Sequence, residues 1–219
     1  MRNVAFILVL VSCAAGEAAA QALAVRGGSS GFGAELGVGI NTYLGVRASY
    51  GAGSYGYDTT EDGIRYDATL KPSIGTLTLD LHPFGGGFRL SAGLGLNRTR
   101  IDARAVPVGG TLTINDRVYN AADVGSVDAF IRFERSAPYF GFGWGAAAMS
   151  GRGLYFTSDV GVVLSRASGT LQGTCSASLN AAACAQLQAD LQAEALSFKT
   201  EAEKLRFYPL IAGGVGYRF

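Results

Sequence analysis

The sequence predicts an ordered all-β chain. Three observations carry this: a composition rich in glycine and aromatic residues, strict two-residue alternation in one segment after another, and a chain that finishes on such a segment. Among 219 residues there are 32 glycines, 12 phenylalanines and 10 tyrosines, against five prolines, two methionines and one histidine. The glycines follow no collagen period and sit among hydrophobic residues, which form 48% of the chain, so disorder does not fit. Eighteen basic residues against seventeen acidic ones leave a net charge of +1, which gives no electrostatic case for a nucleic-acid partner. One histidine removes the basis for most His-dependent catalysis and for His-rich metal sites. Neither a cofactor nor a metal is expected. The length suits one domain of ordinary size.

In chain order, the first element is a leader. Arg2 gives a basic start, Val4–Val11 is an apolar run too short to span a bilayer as a helix, and small residues follow to Ala22. That layout predicts a secretory signal peptide over residues 1–22, cleaved after Ala20 or Ala22, with a mature domain over 23–219. The alternative is a lipoprotein box at Leu10-Val11-Ser12-Cys13, which would leave Cys13 lipidated. Either route exports the chain. Cys175 and Cys184 then remain as an even pair, and a structural disulfide is the natural reading.

The strands follow. Phe32, Ala34, Leu36, Val38 and Ile40 alternate with Gly33, Glu35, Gly37 and Gly39. Leu44, Val46, Ala48, Tyr50 and Ala52 oppose Gly45, Arg47, Ser49 and Gly51. Leu77, Leu79 and Leu81 oppose Thr76, Thr78, Asp80 and His82, and Phe88, Leu90, Leu94 and Leu96 oppose Arg89, Ser91, Gly93, Gly95 and Asn97. Further on, Leu154, Phe156, Val160 and Val162 oppose Tyr155, Thr157, Asp159 and Gly161. The last segment sets Phe207, Pro209, Ile211, Val215, Tyr217 and Phe219 on one face.

A soluble sandwich also alternates, but its polar face is a Lys/Glu/Thr mixture rather than glycine with a few charges. With its leader, its alternating strands and its final Tyr217-Arg218-Phe219, the chain resembles the small outer-membrane β-barrels of Gram-negative bacteria, of the OmpA and OmpW-like class. The resemblance implies an eight-stranded antiparallel up-and-down transmembrane β-barrel in the cell outer membrane. Its outside is apolar, its inside is polar and aromatic girdles mark both interfaces. It also implies that Tyr217 and Phe219 form the signal read by the barrel-assembly machinery. Outer-membrane lipid and lipopolysaccharide are the expected surroundings.

Seven strands are plain: 32–40, 43–57, 65–82, 88–104, 127–144, 154–166 and 205–219. An even count needs either a short first strand over Leu23–Gly28, turning at Gly28-Ser29-Ser30-Gly31, or a split of 127–144 at Ser136-Ala137-Pro138. The first is preferred, because it puts the short connections at Asn41, Pro83–Gly87 and Met149–Gly153 on the periplasmic side. Three longer connections then face outward: Asp58–Gly63, Ala105–Ser126 with a small hairpin turning at Asn115-Asp116, and Ala167–Lys204. In the last, Leu187, Leu191, Ala195, Phe198, Ala202 and Leu205 form a helical stripe. That helix reads first as a cap packed on the barrel rim, with a plug or a partner-binding helix as alternatives.

Within a barrel, Glu35 and Arg47 lie equidistant from Asn41 and should face each other, as should Asp80 and Arg89 around Phe84-Gly85. Paired, these charges make a salt-bridged interior. The functional reading is a gate or filter, with Asn97 and Asp159 as further polar lumen residues. Inward glycines leave volume that water could fill, or they serve strand curvature. Catalysis would have to use His82, an inward residue next to a turn with no serine constellation around it, so the chain is not read as an enzyme. The leading expectation is a structural or surface-interaction role with at most slow passage of small solutes. The alternatives are a dedicated narrow small-solute channel and a secreted soluble β-sandwich.

Overall fold

The computed structural model describes residues 21–61, 63–145 and 151–219. The expected leader over residues 1–20, Cys13 included, lies outside the described residues, as does part of the expected turn at 149–153. In chain order the strands are β1 (Gln21–Gly28), β2 (Gly31–Gly39), β3 (Leu44–Ala52), β4 (Tyr55–Glu61), β5 (Ile64–Lys71), β6 (Ser73–Leu81), β7 (Phe88–Asn97) and β8 (Arg100–Pro107). A hairpin of β9 (Thr111–Ile114) and β10 (Arg117–Asn120) follows, then β11 (Val124–Phe133), β12 (Ser136–Trp144), β13 (Gly153–Val163) and β14 (Ala167–Cys175). The helix α1 (Ala181–Glu203) leads to β15 (Tyr208–Arg218).

Eight of these strands close into an antiparallel barrel in the order β1-β15-β13-β12-β7-β6-β3-β2. Closure is made by β1, which pairs with β2 on one side and with β15 on the other, Ala22 opposite Arg218 and Val25 opposite Val215. A closed sheet excludes the sandwich and leaves no barrel edge. The short strand at the start of the chain is therefore the one that completes the even count. Strand β1 starts and β15 finishes at the same end of the barrel, where the Phe219 N–H donates to the Gln21 carbonyl at 3.0 Å. The connections at residues 40–43 and 82–87 share this near end.

At the far end, five barrel strands run on. Strands β3, β6, β7, β12 and β13 continue past a break into β4, β5, β8, β11 and β14, which form a second sheet in the order β14-β11-β8-β5-β4. The breaks fall at 53–54, Pro72, 98–99, 134–135 and 164–166. Pro72 shows the cause, since it has no N–H to give the ladder while its carbonyl still accepts from Gly53 at 3.0 Å. The long strands expected over 43–57, 65–82, 88–104 and 127–144 are thus each two strands. The split considered at Ser136-Ala137-Pro138 is a break between two sheets rather than a turn. Most of the described residues of the three outward connections lie in strands or in the helix rather than in loops.

The alternating sets face as their sequence requires. Phe32 and Phe156 are each 82% exposed on the barrel's outer surface, whereas Arg47 and Asp80 on the opposite set are 2% and 1% exposed. Leu23, Leu77, Leu94, Phe140, Trp144, Leu154 and Ile211 belong to the same exposed apolar surface.

The helix begins where the Asn180 side chain accepts the Ala183 N–H at 2.9 Å, an N-cap. It does not sit in the lumen; it packs on β14 of the second sheet. Two β14 glycines make room for it. A Cβ at Gly173 would lie 2.6 Å from Leu191, and one at Gly169 would lie 2.7 Å from Ala202 and 2.8 Å from Phe198. Leu187, Leu191, Ala195, Phe198 and Ala202 of the predicted stripe are therefore the packed face, whereas Leu205 lies beyond the helix and is exposed; the cap covers the second sheet rather than the barrel rim itself. A disulfide between Cys175 and Cys184 ties the end of β14 to the first turn of α1. The hairpin turns through Asn115 and Asp116 at φ of 49° and 62°, a left-handed pair suited to a two-residue turn. Tyr119 and Asn115 dock it on α1 by donating to Asp190.

Candidate functional site

The barrel interior is the site to which the sequence points, and its geometry follows from strand parity. Inward positions of β1, β2, β3, β6, β7 and β13 each supply one charged side chain: Arg26, Glu35, Arg47, Asp80, Arg89 and Asp159. Three cations and three anions meet in one network. Arg47 Nε donates to Asp80 Oδ2 at 2.7 Å, Arg47 Nη1 to Asp159 Oδ2 at 3.0 Å and to Glu35 Oε2 at 3.1 Å, and Arg47 Nη2 to Ser91 Oγ at 3.0 Å. Arg26 bridges Glu35 at 2.6 Å and Asp159 at 2.9 Å. Arg89 holds the other Asp159 oxygen at 2.9 Å and the Thr157 hydroxyl at 3.1 Å. None of the six is more than 7% exposed.

Two isolated pairs are the expectation from sequence, and the structure replaces them with this single cluster. The register shows why. Arg47 lies opposite Gly37, and Glu35 opposite Ser49; Asp80 lies opposite Ser91 rather than Arg89. Both near-end connections are longer than a tight turn, so each partner is displaced by two residues along its strand. A slip of two keeps every side chain on its face, so the same residues still meet, diagonally. Arg89 Nε reaches Asp80 only at 3.8 Å, and Arg47 takes Asp80 instead. Asp159 is a hub of the network. Asn97 is buried at the far end, where its Oδ1 accepts the Thr99 N–H at 2.9 Å and fixes the β7–β8 break. It takes no part in the cluster.

Arg26 is the member that sequence reasoning misses. A signal for it exists, since it shares a face with Ala22 and Ala24 while Leu23 and Val25 face out. An even strand count requires the short first strand but does not by itself say which of its side chains point inward.

Buried apolar residues flank the charges on both sides. Toward the far end lie Ile74, Ala137, Tyr139, Val163 and Leu210, and toward the near end Ala22, Ala24 and Tyr155. Several glycines that face inward are not empty space. Tyr139 lies across Gly141 and Gly161, Tyr155 across Gly216, and the Arg89 guanidinium across Gly145, each where a Cβ would collide. At the near end His82 is fully buried beside the turn, its Nδ1 within 2.8 Å of the Gly86 carbonyl.

No family model matches this chain, and no curated protein matches it. Among solved structures, CarO2 of Acinetobacter baumannii is similar at a TM-score of 0.61 and 20% identity, over 92% of this chain and 99% of that one. CarO of the same organism matches at a TM-score of 0.56 and 20% identity, over 90% and 96% of the two chains. A major outer membrane protein from Thermus thermophilus aligns at a TM-score of 0.42 and 14% identity, over 92% and 100%, too distant to carry an argument. The two Acinetobacter likenesses show the fold: a small closed barrel, matched over nearly its full length.

Proposed function

We propose that the chain is an outer-membrane β-barrel whose lumen is closed, and that it serves as a membrane anchor for the second sheet and its helix in a structural or surface-interaction role. One observation carries this reading: six charged side chains, neutral as a set and mutually bonded, fill the middle of the lumen with apolar layers at both sides. Each ion is expensive to bury alone and is compensated only while the cluster is intact. A filter for solutes would instead need charges with water beside them.

Membrane placement rests on the outer surface. A closed barrel satisfies its own backbone, and exposed Leu, Phe and Trp around it are covered best by lipid. The near end then faces the periplasm, where Trp144, Tyr217 and Phe219 form an aromatic girdle, and Tyr217 with Phe219 offers the barrel-assembly signal. The second sheet faces outward. The test is extraction and gel mobility. Membranes should release the protein only with detergent, and the unheated barrel should migrate differently from the heated chain. A water-soluble protein without a heat-dependent shift would contradict the reading.

The second reading is a narrow solute channel, in which the same cluster is a gate. It has one observation in its favour: the network is a set of ion pairs that could exchange partners. Discrete current steps across a bilayer would favour it over the closed anchor.

A further inference from the structure

The far rim of the barrel carries cations that the lumen does not use. On the outward face of the second sheet the register sets Arg100 opposite Lys71 on one side and opposite Arg132 on the other. Like charges facing each other across a ladder repel. Asp102 relieves part of this, at 3.1 Å from Lys71 and 3.9 Å from Arg100. Beside Arg132 opens a cleft of about 530 Å³ between β11, the start of β14 and the end of α1, lined by Arg132, Arg166 and Arg206 together with Glu134 and Glu203. All three arginines are exposed. The ion pairs of this outer region run through Asp102, Asp128, Asp190, Glu201 and Glu203, and among the described residues none involves these three arginines. Glu203 is instead 3.9 Å from Lys199.

The cleft starts where the barrel's apolar outer surface stops. Leu164 and Phe207, both exposed, sit within two residues of Arg166 and Arg206. The near rim differs in kind, with Phe88 packed against both Phe84 and Trp144. One rim is aromatic and the other is guanidinium-rich, so the two ends suit different leaflets.

We propose that the Arg132–Arg166–Arg206 cleft binds the phosphate of a lipid headgroup in the leaflet around the far rim. The inference rests on the membrane reading above. Guanidinium groups pair phosphate oxygens in a fork that a single lysine does not offer. Basic pockets at the level of the headgroups select anionic lipids by the same electrostatics. The headgroup phosphate would offset the repulsion along Arg100 and Arg132, while its chains lie on the apolar surface beginning at Leu164 and Phe207. The cleft's volume admits a phosphorylated sugar as well as a bare phosphate.

The test compares thermal unfolding of the full chain in phosphatidylcholine vesicles with and without lipid A, a phosphomonoester glycolipid. Lipid A should raise the unfolding temperature of the wild type. The variant Arg132→Gln/Arg166→Gln/Arg206→Gln should lose most of that rise. The control Arg65→Gln/Arg104→Gln/Arg152→Gln, with the same loss of charge away from the cleft, should keep it. No rise in the wild type, or equal loss in both variants, would overturn the assignment. An equal rise from inorganic phosphate alone would assign the cleft to free phosphate and overturn the lipid source. A wild type that enters neither vesicle would instead overturn the membrane reading.

Discussion

At Arg47 one guanidinium serves four groups on four strands: Asp80, Asp159, Glu35 and Ser91. Replacing it with alanine leaves three buried carboxylates with two cations. The loss of one partner from a buried ion pair costs about 3–5 kcal/mol, because the other charge stays behind without solvent. Arg47→Ala should therefore lower unfolding stability in a denaturant titration by that order. Arg89→Ala should cost less, since Arg89 approaches Asp80 only at 3.8 Å. Equal and negligible effects would show that the cluster is not a cooperative unit. Four of these six residues are legible in the sequence as lumen charges, and Asp159 as a polar lumen residue, because parity is robust to a slip of two. Their partners are not legible, because partner choice depends on turn length and on strands distant in the chain. Asp159 lies 112 residues from Arg47.

Outside the barrel the hairpin docks on α1 through the Asp190 carboxylate. Tyr119, and then Asn115, donate to Asp190 and hold its carboxyl below the usual carboxylate range, and the same bond holds the Tyr119 hydroxyl above its usual range. A lowered carboxyl contributes stability that is present above the ordinary carboxylate pKa and is lost as pH falls through the lowered value. The raised tyrosine contributes stability that is present below its ordinary pKa and is lost as pH rises through the raised one. Amide exchange in Thr111–Asn120, corrected for the intrinsic pH dependence of exchange, should thus be slowest across the broad range between, and should accelerate in strong acid and strong alkali. Asp190→Asn should remove the acid-side change. An unaltered acid profile in that variant would place the dock elsewhere.

Among the elements, α1 and β14 form a unit that depends on small residues and one covalent tie. Gly169→Val would drive a branched side chain into Ala202 and Phe198, so it should lift the end of the helix while leaving the barrel folded. Limited proteolysis should then cut within Ala181–Glu203 at lower protease concentration. Reduction of Cys175–Cys184 should do the same at the helix start, since closing so short a loop contributes on the order of 2–3 kcal/mol in the chain-entropy account. Protection of the helix in both cases would mean that the stripe alone suffices. The helix is legible from its period and the hairpin from Asn115-Asp116. The second sheet is not. Burial alternates little along β4, β5 and β8, so no change of period marks the border. Only Pro72 and the split considered at Ser136-Ala137-Pro138 hint at it.

For the whole molecule, closure depends on β1 and β15, both paired along nearly their full length. Ala22 is fully buried and paired with Arg218, and Gln21 is paired with Val38. Cleavage of the leader after Ala20 would spare both, whereas cleavage after Ala22 would remove them. Intact mass of the membrane-extracted protein should therefore give Gln21 as the first residue. A chain beginning at Leu23 or at a lipidated Cys13 would contradict this. Alternation and glycine content make the barrel itself legible. The packing of its interior is not, because the period does not show that Tyr139, Tyr155 and Arg89 lie across Gly161, Gly216 and Gly145.

The central claim is that this lumen is closed. Single-channel recording of the refolded wild type in a planar bilayer, with Arg47→Ala beside it, tests that claim most directly. A closed lumen predicts a silent wild type from folded, heat-modifiable protein, and current that prefers cations only in Arg47→Ala, where unbalanced carboxylates admit water. Discrete steps in the wild type, altered in size or ion preference by the substitution, would contradict it and make the cluster a gate.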